Sequence, residues 1–427
     1  VQNSNPAGFK LELTNKGELN EVRSADAEWT TLAAIDLPAT PLIKLSYDDQ
    51  SALSSLAAEK VQGKVVITEI PDYRTQPRER RREVFVGMRQ FMERMAQLKP
   101  ALIVSVSREA LLAGPKGRLI DPEHRQQGRG LQAPGPIITI HGARTAKFYD
   151  DLKAADTGAT VSAHIAADVE QPVKVRNIVG LLRGSDPKLN KTYVLVTAHY
   201  DHLGISGTAS GDRIYNGAND DGSGTVSVIE LASALATLKA RPRRSILFMA
   251  FFGEEKGELG SRYYGAHPIF PIGDTVADIN LEQVGRTDST EGPKIASASM
   301  TGYDFSDIGE IFKQAGKQVG IDVYKHPVNS DAYFGRSDNQ ALAYQGVPAH
   351  TLCVAFDYPD YHGVGDEWPK VDYENMAKVD RMVGLGLLII ADSEKTPEWN
   401  QGNPKASQYV KAWQAHHNAV AAPSGNH

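Results

Sequence analysis

The sequence predicts an α/β protein. The expected form is a three-layer sandwich around a central, mostly parallel sheet, preceded by a smaller β-rich domain. Three observations carry this. From Val175 onward, apolar strand-like runs alternate with segments of helical periodicity. The earlier part instead holds β-branched runs separated by basic and Gly/Pro-rich stretches. At 427 residues the chain is long enough for two domains, expected at 1–170 and 171–427.

In the first domain, residues 64–70, 101–106 and 136–140 read as buried strands because they are short, apolar and rich in valine and isoleucine. Residues 84–98 space their apolar side chains as a helix, which Pro100 stops, and residues 143–155 read as another helix. Residues 128–135 read as a loop. The run 74–83 holds five arginines but interleaves two glutamates and has no aromatic platform, so it reads as a solvated surface rather than a nucleic-acid patch. In the second domain, strands are expected at 177–182, 193–198, 245–252, 277–281 and 349–356. Helices are expected at 223–238, 305–319 and 373–392, the first capped near Asp221. The stretch 396–427 is polar with some helical character, and 423–427 reads as a frayed end.

Composition narrows the function classes. Hydrophobic residues make up 41% and charged residues 23%, ordinary for a soluble globular chain. A formal charge of -6 argues against nucleic acid as the main partner. Cys353 is the single cysteine, so no intramolecular disulfide forms; flanked by Leu352 and Val354, it reads as an inert core residue rather than a nucleophile. No apolar run reaches the roughly 18–20 residues of a membrane span. The chain opens on Val1 rather than Met, which suits removal of an upstream segment.

The chemistry concentrates after residue 198. His199-Tyr200-Asp201-His202 follows one expected strand, and Asn219-Asp220-Asp221-Gly222-Ser223-Gly224 opens the next helix. Gly253-Glu254-Glu255, Asn280-Leu281-Glu282 and Asp360-Tyr361-His362 follow three further strands. In open α/β sheets, sites form outside the carboxyl ends of strands, so these segments converge on one edge. Two imidazoles and three carboxylates (His199, Asp220, Glu255, Glu282 and His362) suit a pair of zinc ions sharing one carboxylate. Glu254 is a spare carboxylate, available as a base for metal-assisted hydrolysis. Set beside these, His202 reads as a loop neighbour, Asp221 as a helix cap, His350 as a satisfied core or edge histidine, and Asp366 as either a supporting group or a turn cap.

These motifs, with Gly260-Ser261 and Asp366, resemble the M28 family of zinc aminopeptidases and carboxypeptidases over roughly 175–392. Residues 63–66 and 99–104 make the first domain look like a protease-associated domain. The resemblance implies the zinc exopeptidase fold and two zinc ions bridged by Asp220. His199 and Glu282 would complete the first ion's protein ligands, and Glu255 and His362 the second's. It further implies Glu254 as general base, Asp201 as the group orienting His199, and Tyr361 as a hydrogen-bond donor to the tetrahedral oxyanion. The implied substrate is a peptide with a free N-terminus, and the implied location is secreted or periplasmic. The sequence departs from the family in two places: Glu282 stands where many relatives carry Asp, and Asn339 stands where His is common.

Alternatives are kept open. A carboxypeptidase or dipeptidase of the same family would use Arg286 or Arg336 to bind a terminal carboxylate. A glutaminyl cyclase would keep fewer ligands and one zinc. A receptor-like binding module would lose ligands and base, whereas this chain keeps all five ligands and Glu254.

Overall fold

Every residue of the strand Tyr193–His199 is buried, and its side chains alternate between two cores. Val194, Val196 and Ala198 face one cluster with Val228, Leu231, Phe312 and Met382; Tyr193 and Leu195 face another with Tyr264, Leu342 and Trp399. A strand buried on both faces needs a layer on each side, which gives the sandwich. The computed structural model describes residues 1–31, 33–71, 76, 78–111, 117–120, 135–206 and 211–421. The loop residues 128–134, residues 74, 75 and 77 of the arginine-rich run, and the terminus 422–427 lie outside the described residues.

The chain divides into two compact units, Val1–Lys174 with Ile205–Arg213, and Val175–Gly204 with Ile214–His427. In the first unit, eight described strands form one sheet. Ile35–Lys44, Val65–Glu69, Leu102–Ser107 and Ile137–His141 run parallel, flanked by antiparallel strands that include Phe9–Asn15 and Ala155–Ile165. The helix Arg78–Leu98 packs Val84, Phe91 and Met95 into this unit's own core. The expected helix at 143–155 instead ends at Asp150. Ala155 takes a left-handed φ of 61° and begins the long strand to Ile165.

In the second unit, seven described strands form the sheet. Its centre is parallel, in the spatial order Ser245–Phe251, Tyr193–His199, Thr275–Leu281, Ala349–Cys353. Ile178–Leu182 pairs antiparallel on one side; Ser297–Met300 and Asp322–Tyr324 extend the other. Gly222–Ala236, Ile308–Val319 and Tyr373–Asp392 contribute buried side chains to one core. Leu259–Ala266, Asn339–Tyr344 and Ser407–Ala421 contribute to the other. No described helix is long and apolar enough to cross a membrane.

Candidate metal centre

The chemical groups stand where the parallel strands end. His199 is the last residue of its strand and pairs in register with Phe251. Two residues beyond Phe251, Gly253 takes a left-handed φ of 79° and turns Glu254 and Glu255 onto a short 3-10 turn. A Cβ at Gly253 would meet the Leu259 side chain at 3.0 Å, so the turn depends on glycine for both conformation and space. Glu282 follows the third strand, its N–H donating to the Leu352 carbonyl at 3.1 Å. Asp220 precedes the helix Gly222–Ala236, which Asp221 caps by accepting the Gly224 N–H at 3.2 Å. His362 lies in a turn with φ 52°, a strained region for a residue with a side chain and one that clusters at functional sites.

The five candidate ligands meet. His199 Nε2 lies 3.4 Å from Asp220 Oδ1, and His362 Nε2 lies 3.2 Å from Asp220 Oδ2 and 3.4 Å from Glu255 Oε1. Asp220 therefore turns one oxygen to each imidazole. Glu282 groups with His199 and Asp220, their potential ligand atoms all within 4.8 Å of one another. A second group of this kind joins Asp220 and Glu255 with His202. Two donors on one tetrahedral zinc, each ~2.0–2.2 Å from it, stand roughly 3.3–3.6 Å apart. The separations of 3.2–3.4 Å sit near that edge and exceed a charge-assisted hydrogen bond of about 2.7–2.9 Å. His199 Nε2 is buried with no hydrogen-bond partner among the described residues. Orphaned buried polar atoms of this kind ask for an explanation, and a nitrogen and oxygen donor set fits zinc.

The electrostatics follow the same pairing. Burial opposes ionisation of Asp220, but contacts from His199 and His362 outweigh it and hold the carboxyl well below its ordinary range. Burial likewise opposes ionisation of Glu255, yet His202 and His362 bring it to about 2. Burial opposes charging of both imidazoles too; Asp220, with Asp221 and Glu254, raises His199, and Asp220 with Glu255 raises His362 to about 10. Glu254 and Glu282 feel the His199 imidazole as well, but its lowering effect is outweighed. Burial, then neighbouring carboxylates, push Glu254 well up and Glu282 to about 7.

The proposed supporting residues make contacts that spacing alone did not fix. His199 Nδ1 faces the backbone carbonyl of Asp201 at 3.0 Å, while the Asp201 carboxylate is 3.8 Å away. That carboxylate instead accepts the N–H groups of Gly253 at 2.7 Å and Glu254 at 3.1 Å. The Tyr361 ring stacks on His362 with centroids 4.1 Å apart. Burial, then the surrounding carboxylates, raise its phenol pKa, which keeps the hydroxyl a donor. His350 is fully buried between Ser306 Oγ at 2.7 Å and the Thr301 carbonyl at 2.8 Å, and burial lowers it to about 4. Burial raises the Cys353 thiol well above its ordinary value, which suits an inert core residue.

Sequence reasoning missed three supporting contacts and left one undecided. Ser337 donates to Glu282 and receives the Asn280 amide at 2.7 Å. His202, read as a loop neighbour, places Nδ1 2.8 Å from Glu255 Oε1. Arg286 is buried and pairs with Asp288 at 2.5 Å and Asp360 at 3.0 Å, bracing the segment that carries His362. Asp366, left between two readings, accepts the Asn219 and Asp220 N–H groups at 3.1 Å and the Tyr358 hydroxyl at 2.9 Å. Arg336 is exposed and lies over the Tyr333 ring.

A mostly parallel sheet sandwiched by helices, with histidines and carboxylates gathered at its strand ends, defines an α/β protein of the zinc exopeptidase fold. Residues 177–385 match the sequence profile described as Peptidase family M28. Aminopeptidase YwaD of Bacillus subtilis strain 168 is 30% identical over 237 residues, covering 54% of this chain and 48% of that protein. A probable zinc metalloprotease of Leptosphaeria maculans is 39% identical over 130 residues, covering 30% of this chain and 29% of that protein. This chain thus spans less than half the length of either relative. Among solved structures, a zinc aminopeptidase from Bacillus subtilis superposes with a TM-score of 0.57 at 18% identity, covering 92% of this chain and 85% of that one. An aminopeptidase from Aneurinibacillus sp. strain AM-1 superposes with a TM-score of 0.54 at 18% identity, covering 93% and 84%. At that identity the likeness shows the fold.

Proposed function

We propose that the chain is a zinc-dependent exopeptidase, an aminopeptidase that releases N-terminal residues from peptides and holds two zinc ions. The observation that carries this reading is Asp220, whose two oxygens face the separate imidazoles of His199 and His362. Glu282 completes one triad with His199, and Glu255 the other with His362. Bound zinc supplies carbonyl polarisation and acidification of water. Glu254 takes the proton from the attacking water and passes it to the leaving amine. The Tyr361 hydroxyl donates to the oxyanion. Asp201 fixes the backbone of the Glu254 turn.

The choice of aminopeptidase rests on charge. The guanidinium of Arg286 is already paired with Asp288 and Asp360, leaving it poorly suited to a substrate carboxylate. The excess of carboxylates suits a substrate ammonium instead. The first unit is read as a protease-associated domain, and secretion or periplasmic export is the expectation that accompanies the family. The test is a panel of aminoacyl and C-terminal dipeptide substrates with and without a chelator, beside a zinc count. Chelator-sensitive cleavage from the amino end with two ions per chain is the expected result. Cleavage only from the carboxyl end points to a carboxypeptidase; about one ion with cyclase activity, or no zinc at all, overturns the reading.

A further inference from the structure

We propose that His202 is a positioning residue for the second metal position, holding the Glu255 carboxylate through Nδ1–H. This rests on the two-ion reading above and extends it, because His202 belongs to neither triad. The His202 side chain is 6% exposed, and its Nδ1 lies 2.8 Å from Glu255 Oε1, the same oxygen that faces His362 Nε2 at 3.4 Å. Neither ring nitrogen has an aligned hydrogen bond among the described residues. Leaving a buried imidazole without partners is unfavourable, and Glu255 is the acceptor within reach.

Distance separates a ligand from a supporting group. Two donors to one tetrahedral zinc stand roughly 3.3–3.6 Å apart, which the His362 pairs approach. The His202 contact of 2.8 Å is shorter than that edge and falls in the range of about 2.7–2.9 Å for an N–H donating to a carboxylate. The neighbouring loop is shaped around the ring. Gly217 has φ +64°, and a Cβ there would meet His202 Cγ at 2.5 Å and the Asp220 carbonyl at 2.3 Å. His202 is thus wedged between the loops that carry Asp220 and Glu255, and its donor fixes which Glu255 oxygen is turned towards the ion position. Losing such a supporting contact typically weakens metal binding by about 10–100-fold.

The test titrates the zinc-free full chain with zinc against a chromophoric chelator, for wild type, His202→Phe and His202→Asn. Phenylalanine keeps the ring volume without the N–H; asparagine places an amide N–H near Nδ1. Far-UV circular dichroism checks folding. The expected result is two ions in wild type, one of them weakened roughly 10–100-fold in His202→Phe with the other unchanged, and most of the loss restored in His202→Asn. Wild-type binding by His202→Phe overturns the proposal. So does a folded His202→Asn that fails like the phenylalanine variant, because the ring is then acting as a ligand, and so does equal weakening of both ions. Fewer than two ions in wild type counts separately, against the two-ion reading itself.

Discussion

The Asp201 carboxylate accepts the backbone N–H of Glu254 at 3.1 Å, so a residue two positions after one candidate ligand pins the candidate base beside another. Asp201→Ala removes that acceptor and the one for Gly253. Peptidase turnover is expected to fall by about 10–100-fold while zinc content changes little. Asp201→Asn keeps an acceptor oxygen and should retain most activity. Loss of zinc in both variants would return Asp201 to the role of orienting His199. Steady-state kinetics beside metal analysis distinguish the outcomes.

Glu254→Gln keeps size and polarity but removes proton transfer. Turnover should drop by roughly 10²–10⁴-fold with both ions retained. A fully active Gln variant assigns the base elsewhere.

His199, Glu255 and Glu282 could be placed from sequence because an apolar run ending in a ligand type marks a strand's carboxyl end, and the parallel register delivers all three to one edge. The contact of Asp201 could not, because two-residue spacing leaves open whether the main chain or the carboxylate meets the imidazole. Ser337 and His202 were missed because their partners lie far away in sequence, and nothing local distinguishes a hydroxyl or imidazole with a distant acceptor from a solvated one. Ser297–Met300 and Asp322–Tyr324 are too short to show a period. Ala155 ends the stretch expected to be helical, and its left-handed turn is set by the strand it begins.

Removing metal should destabilise the second unit. Asp220, Glu254, Glu255 and Glu282 crowd together, and bound cations offset their repulsion. A ligand at 100 times its dissociation constant contributes about 2.7 kcal/mol to the folded state. Thermal unfolding monitored with and without chelator should show a lower Tm without zinc. An unchanged Tm would indicate that the carboxylates are balanced by the protein's own groups.

Asp380 offers a test of pH dependence away from the metal centre. Burial raises its carboxyl to about 6. An acid whose folded pKa lies above its unfolded value favours the fold when protonated, and this contribution is lost as pH rises from near 4 through about 6. Asp380→Asn should therefore stabilise the chain by about 1–3 kcal/mol above pH 6 and have little effect near pH 4. Denaturant melts at the two pH values check this; an equal effect at both would assign the change to packing.

Asp366 completes the backbone of a loop made far earlier, accepting the N–H of Asp220 across 146 residues. During synthesis, the segment around Asp220 leaves the ribosome without this acceptor and without His362. A nascent or truncated chain ending before residue 360 thus holds only part of the ion cradle, with its loop unfinished.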